Sequence, residues 1–156
     1  FAGTPGFPRD ALFGTYAPRW IANGGAGTDH YGIWDTSKIT VTNAAGVAAD
    51  MMAEYIMGGF LHFTLDIPGL QRDRGNTVWS ATRMVVPLRG KTLVIVGLGH
   101  TGRALALKAK AFGMKVLGTR AHPQPTDNVD EVHGAGDLDS LLPAHTTYWV
   151  SAKLPR

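Results

Sequence analysis

Three glycines spaced as Gly-x-Gly-x-x-Gly, Gly97, Gly99 and Gly102, have the clearest chemical meaning in this sequence. A short apolar run, Thr92–Val96, precedes them, and residues 103–112 follow with apolar side chains at helical intervals. At such a turn the first glycine permits the tight bend, the second lets a pyrophosphate approach the backbone, and the third lets helix and strand pack closely. The free N–H groups of the helix then face the phosphates. This order predicts a dinucleotide site rather than a glycine turn of purely structural use.

Two residues inside this turn, His100 and Thr101, are predicted to contact the cofactor as well. For His100 the backbone and the ring are both candidates, and simple exposure to solvent is the alternative. The other histidines are His30, His62, His122, His133 and His145. We expect His62 to lie in a helix and the remaining four in loops, and their spacing does not predict a metal site.

The end of the next predicted strand, residues 114–119, bears on the choice of cofactor. NAD sites place an acidic residue about twenty positions after the glycines, whereas an arginine there accommodates the 2′-phosphate of NADP. This chain has Thr119 and Arg120 at that point, and Asp127 and Asp130 come late, beyond two prolines. We therefore predict NADP as the preferred cofactor, with NAD possible. The alternative is an exposed Arg120 in a site that takes NAD without a ribose carboxylate.

A second glycine-rich cluster reads Asn-Gly-Gly-Ala-Gly-Thr-Asp-His at residues 23–30. It follows a predicted buried strand at residues 20–22 and precedes another at residues 38–42. Successive backbone N–H groups in such a cluster can converge on an anion. The alternative is a flexible turn, and the residues alone leave both open.

The longest predicted helix covers residues 47–65 and is apolar around most of its girth. Such a helix is buried on several sides, so we expect its methionines and aromatic residues to be core and part of its cover to come from a second subunit. Asp66 is predicted to cap the following helix, with Pro68 in its first turn. Further on, residues 137–142 predict a short helix capped by Asp137, and residues 147–152 a third strand.

Composition excludes several classes of protein. The chain has no cysteine, which excludes disulfides, thiolate metal sites and a cysteine nucleophile. Its net charge of +3 is spread without a basic tract, so we predict no nucleic-acid partner. No apolar run is long enough for a membrane and none resembles a signal peptide, which predicts a cytoplasmic protein. Because the chain starts at Phe1 and ends soon after a predicted strand, we expect it to be cut at both ends.

Several segments, taken together and in order, resemble the D-isomer-specific 2-hydroxyacid dehydrogenases. They lie within about residues 19–155 and are residues 23–30, 39–43, 46–47, 53–57, 79, 88–92, 97–102, 111–114 and 141–143. The resemblance implies an α/β protein with two parts. Residues 1–43 would be the C-terminal remnant of a flavodoxin-like substrate domain. Residues 44–156 would be the first half of a Rossmann-type, doubly wound parallel sheet that binds NAD(P).

The resemblance also implies partners and a reaction. Backbone amides at Ala26 and Gly27 would hold a substrate carboxylate, and residues 47–76 would form a homodimer interface. The family transfers hydride between NAD(P)H and small 2-keto acids such as glyoxylate or hydroxypyruvate. Its catalytic arginine and its histidine–glutamate pair lie beyond the last residue of this chain, so we predict no catalytic residue here and no turnover by the chain alone. Two alternatives are an NAD(H)-sensing corepressor and a formate dehydrogenase, which share the scaffold.

Overall fold

Two separate parallel sheets organise the chain. The structure, a computed structural model, describes residues 2–3, 9–141 and 147–151. The chain divides into two units, residues 1–47 and residues 48–156, and each unit contains one of the sheets. This mixed α/β architecture with parallel strands is the predicted fold class. The assignment of residues 1–43 and 44–156 to a substrate domain and a cofactor domain stays a prediction.

The first unit has a three-stranded sheet in the order β1-β2-β3, formed by Ala2–Gly3, Trp20–Asn23 and Thr40–Asn43. A helix, α1 (Arg9–Phe13), and a short 3-10 helix, Asp29–Tyr31, complete it. The strands predicted at residues 20–22 and 38–42 are confirmed, the second with a later start. Four buried side chains form its core: Leu12, Ile21, Tyr31 and Ile39.

The second unit has a four-stranded parallel sheet in the order β6-β5-β4-β7. Its strands are β4 (Thr92–Val96), β5 (Lys115–Thr119), β6 (Glu131–His133) and β7 (Thr147–Ser151). In register, Val96 pairs with Thr119, so the carboxyl ends of β4 and β5 meet at one edge. The sequence did not predict β6, because its three residues are too few to show an alternating pattern.

Among its described residues this unit has the α-helices α2 (Ala49–Thr64), α3 (Ile67–Gly75), α4 (His100–Ala111) and α5 (Leu138–Leu141). The predicted cap of α3 is confirmed, since the Asp66 carboxylate accepts a hydrogen bond from the Gly69 N–H at 3.1 Å. The α4 helix begins three residues before its predicted start. Asp137 caps the 3-10 helix Ala135–Asp137, which leads into α5, by accepting from the Gly134 N–H at 2.8 Å.

The core of the second unit lies between the sheet and the packed pair α2 and α4. Buried side chains from both helices and from β4 and β5 meet there, among them Ala53, Met57, Phe60, Leu93, Ile95, Leu105, Ala106, Ala109 and Val116. The Lys108 ammonium ties the two helices together, because it lies 3.2 Å from Asp50 and 3.4 Å from Glu54. These carboxylates, Asp50 foremost, raise the pKa of Lys108.

The prediction that the methionines and aromatic residues of the long helix are core is wrong for four of the six. Met57 and Phe60 are buried, but four large apolar side chains are exposed: Met51, Met52, Tyr55 and Phe63. The physical reason is that α4 and the sheet cover only one stripe of α2. Among the residues described, no helix combines the length and the apolar character needed to span a bilayer.

Candidate functional site

The predicted glycine turn lies where the carboxyl ends of β4 and β5 meet. Gly97 has a φ of 99°, a left-handed conformation that favours glycine. The N–H groups of Gly97 and Leu98 both donate to the carbonyl oxygen of Thr119, at 3.1 and 3.2 Å. The chain therefore turns directly off the end of β4 while still anchored to the end of β5.

The third glycine, Gly102, is required by close packing of the helix against the turn. A Cβ atom built on Gly102 would lie 2.2 Å from the carbonyl oxygen of Gly97 and 3.2 Å from Cγ2 of Ile95. By contrast, a Cβ atom on Gly99 would have no atom within 4 Å. Gly102 thus brings α4 onto the strand, and Gly99 leaves open space above the backbone, which are the roles expected of the two glycines in a dinucleotide turn.

The start of α4 is open to an anion. Its N-cap is Gly99, which has no side chain to occupy the first N–H groups, and no acidic residue stands in its first turn. The first N–H that pairs is that of Arg103, which donates to the Gly99 carbonyl at 3.0 Å. His100 is exposed, and the Thr101 hydroxyl donates to the sulfur of Met52 at 3.9 Å. These features fit a pyrophosphate, whose charge the helix dipole stabilises.

Beyond this turn lies a cavity of about 420 Å³ between the outer face of α4 and residues 124–128. Thr119 is buried beside the turn, while Arg120 is half-buried and reaches the cavity. Asp127 lines the same cavity. Although Asp127 comes late in the sequence, it lies beside Arg120 in this cavity, because the loop after β5 folds back along α4.

Asp130 holds this loop in place. Its carboxylate accepts the Val116 N–H at 2.7 Å and the Lys110 ammonium at 2.8 Å, and its own N–H donates to the Val116 carbonyl at 2.8 Å. The Lys110 hydrogen bond, then the Val116 N–H, lowers the pKa of Asp130. The sequence contained no signal for this clamp, because its three members become neighbours only after β5 pairs with the sheet.

We expect Asp130→Asn to destabilise the second unit by about 1 kcal/mol at neutral pH, because the partly exposed ion pair with Lys110 is lost. The folded carboxyl has a lowered pKa, so its stabilising contribution is fully present above the unfolded value of about 3.9 and is lost as pH falls from there through the lower pKa of the folded state. Urea unfolding of both proteins at pH 7 and pH 3 measures the effect. The matched control is Asp139→Asn on the exposed start of α5, and a difference that grows towards low pH would contradict the prediction.

In the first unit, two asparagine side chains organise the loop that contains Ala26 and Gly27. The amide of buried Asn23 donates to the carbonyls of Gly25 and Gly27, at 2.9 and 2.8 Å, and Asn43 donates to the carbonyl of Ala26 at 2.7 Å. The three successive carbonyls of Gly25, Ala26 and Gly27 are thus occupied. Among the described residues, the N–H groups of Ala26 and Gly27 have no backbone acceptor. A loop held in this way, with two N–H groups free to donate, favours the anion-binding interpretation over the flexible turn.

The histidines form no site in the described part of the chain, where no group of three or more metal-ligating side chains occurs. His133 was expected in a loop, but it lies on β6, and its Nε2 is 3.3 Å from Glu131 Oε2. His30 belongs to the 3-10 helix and contacts Tyr31, with 4.0 Å between ring centroids. His62 is half-buried on α2, and His145 falls outside the described residues.

Comparison with known proteins assigns the family. The D-isomer specific 2-hydroxyacid dehydrogenase NAD-binding domain matches residues 57–155, which is more than half of the chain. The chain therefore belongs to the D-isomer specific 2-hydroxyacid dehydrogenases and carries their NAD-binding domain. The resemblance stated from the sequence motifs is confirmed.

Individual relatives agree with this family. D-3-phosphoglycerate dehydrogenase from Methanocaldococcus jannaschii is 31% identical over 113 residues, covering 70% of this chain and 22% of the relative. A family member from Aeromonas salmonicida superposes with a TM-score of 0.77 at 28% identity, covering 88% of this chain and 44% of that one. A probable 2-hydroxyacid dehydrogenase from Rhizobium etli, solved with NADP, HEPES and tartaric acid, gives a TM-score of 0.77 at 25% identity, covering 96% and 46%. The chain thus spans less than half the length of each.

Proposed function

We propose that this chain supplies the dinucleotide site and the carboxylate-binding loop of an enzyme that reduces small 2-keto acids to D-2-hydroxy acids. The observation that carries the proposal is the open start of α4 behind the glycine turn, in a chain of this family. When bound, the reduced nicotinamide supplies the hydride. Gly97, Gly99, His100, Thr101 and Gly102 hold the pyrophosphate.

We further propose NADP as the preferred cofactor, held through Arg120 and Thr119. Support comes from the position of Arg120 at the end of β5, facing a cavity beside the glycine turn. The NADP bound to the Rhizobium etli protein is consistent with this preference. NAD remains the second cofactor of the proposal, because Asp127 lines the same cavity and can accept a hydrogen bond from a ribose hydroxyl.

The substrate in this proposal is a small 2-keto or 2-hydroxy acid whose carboxylate accepts the N–H groups of Ala26 and Gly27. The two asparagines that occupy the neighbouring carbonyls support this role. The proposed assembly is a homodimer through the helical region of residues 47–76. Its support is the exposed apolar side chains there, including Met51, Tyr55 and Phe63, which a second copy would cover.

Titration of the purified chain with NADPH and with NADH, followed by isothermal calorimetry, tests the proposal. We expect both to bind and NADPH to bind more tightly. We propose, from the family resemblance, that the catalytic arginine, histidine and glutamate are not among the residues of this chain. We therefore expect no oxidation of NADPH in the presence of glyoxylate or hydroxypyruvate. A chain that binds neither dinucleotide contradicts the cofactor assignment, and measurable turnover contradicts the assignment of catalysis to other residues.

A further inference from the structure

A second arginine, which no sequence motif indicates, lines the cavity beside the glycine turn. Arg103 stands one turn into α4 and lines the same cavity as Arg120. Ala104 and Leu107 of α4 provide its apolar floor, and Gln124 is one of its polar walls. A cavity lined by two arginines and by apolar side chains is a suitable environment for a phosphorylated ribose.

The basic residues in and near α4 differ in whether they form ion pairs. Lys108 is paired with Asp50 and Glu54, and Lys110 with Asp130. Within the described residues, neither Arg103 nor Arg120 has a carboxylate oxygen within 4.0 Å. The two arginines therefore carry positive charge that no acidic side chain of the described chain neutralises by direct contact.

The contacts of Asp130 anchor the loop that lines the cavity of Arg103 and Arg120. Asp130 ties the far end of the loop to α4 through Lys110, and the Arg120 N–H donates to the His133 carbonyl at 3.1 Å. Both ends of the loop that closes the cavity are thus anchored, and Arg103 and Arg120 both line that cavity.

We propose that Arg103 is a specificity-determining residue, which joins Arg120 in one subsite for a phosphomonoester on the adenosine ribose. The inference rests on the proposed function, because it concerns the same cofactor. Asp127 lines the same cavity as the two arginines. Its carboxylate repels a phosphomonoester and favours a free ribose hydroxyl, so Asp127 weakens the preference for the phosphorylated ribose that the two arginines set.

The test compares two probes that differ only in the 2′-phosphoryl group, adenosine 2′,5′-bisphosphate and 5′-AMP. Calorimetric titration of the purified chain is repeated with Arg103→Gln, Arg120→Gln and Asp127→Asn. The matched control is Arg89→Gln, which removes one positive charge from an exposed residue before β4, at the opposite edge of the sheet. It corrects for the change in net charge.

We expect Arg103→Gln to weaken binding of the bisphosphate by about tenfold or more, the scale of one charge-assisted hydrogen bond, and to leave binding of 5′-AMP within about twofold. Arg120→Gln acts in the same direction, Asp127→Asn strengthens binding of the bisphosphate, and Arg89→Gln changes neither probe. An Arg103→Gln protein indistinguishable from Arg89→Gln overturns the inference while the cofactor site stands. A wild-type chain that binds neither NADPH nor NADH overturns the proposed function itself.

Discussion

Replacing Gly102 by alanine is expected to destabilise the second unit by about 3 kcal/mol and to weaken dinucleotide binding at least roughly tenfold. The added Cβ atom would lie 2.2 Å from the Gly97 carbonyl oxygen, and neither backbone can move without shifting α4 or the turn. Any shift also displaces the N–H groups that we propose hold the pyrophosphate. Urea unfolding and calorimetric titration with NADPH measure the two effects.

The matched comparison is Gly99→Ala, three residues earlier. Its Cβ atom would meet no atom within 4 Å, and Gly99 has an ordinary φ of −75°. We expect the folded protein to lose no more than about 1 kcal/mol, while binding weakens because a methyl group stands where the pyrophosphate approaches the backbone. Equal loss of stability in the two variants would show that Gly102 is not required by packing.

Replacing Leu105 by alanine is expected to reduce the free energy of unfolding by about 2–5 kcal/mol. Leu105 is fully buried in the core between α2, α4 and the sheet, so the shortened side chain leaves a cavity there. The same substitution at Leu107, two residues along α4 but 54% exposed, should cost about 0.5 kcal/mol or less. Urea unfolding measures both.

The two variants make the same leucine-to-alanine substitution on two faces of one helix, so the change in helix propensity is nearly the same in both. If Leu107→Ala were as costly as Leu105→Ala, the outer face of α4 would be covered by something other than the loop described, and the cavity assigned to the cofactor would be part of a core. Retained NADPH affinity in Leu105→Ala, measured under conditions where it is folded, separates the loss of packing from a loss of the site.

Local patterns predicted the strand, turn and helix around the glycines, because that signal is confined to about thirty consecutive residues. The same holds for the Asp66 cap, which requires only its neighbours along the chain. What the sequence did not predict depends on long-range placement: the return of Asp127 to the cavity, the clamp at Asp130, and the role of Asn23 and Asn43. Each joins groups that become neighbours only when strands pair or a loop folds back.

The exposure of Met51 and Tyr55 also depends on long-range placement, which the sequence does not predict. An all-round apolar helix indicates that something must cover it, but periodicity alone does not say which stripe the same chain covers. Here α4 takes the stripe of Ala53, Met57 and Phe60. The remaining stripe, which the sequence assigned to the core, is available for the proposed homodimer.

The absence of a capping side chain at the start of α4 affects how fast the protein is degraded in a cell. A helix that begins at a glycine lacks the stabilisation of a capping side chain, roughly a few tenths of a kcal/mol relative to serine or aspartate, and a bound dinucleotide supplies the missing acceptors. Because ligand binding adds to folding free energy by mass action, the unfolded fraction open to proteases rises when the cofactor is scarce. The lifetime of the chain would then follow the supply of its coenzyme, without any dedicated sensor.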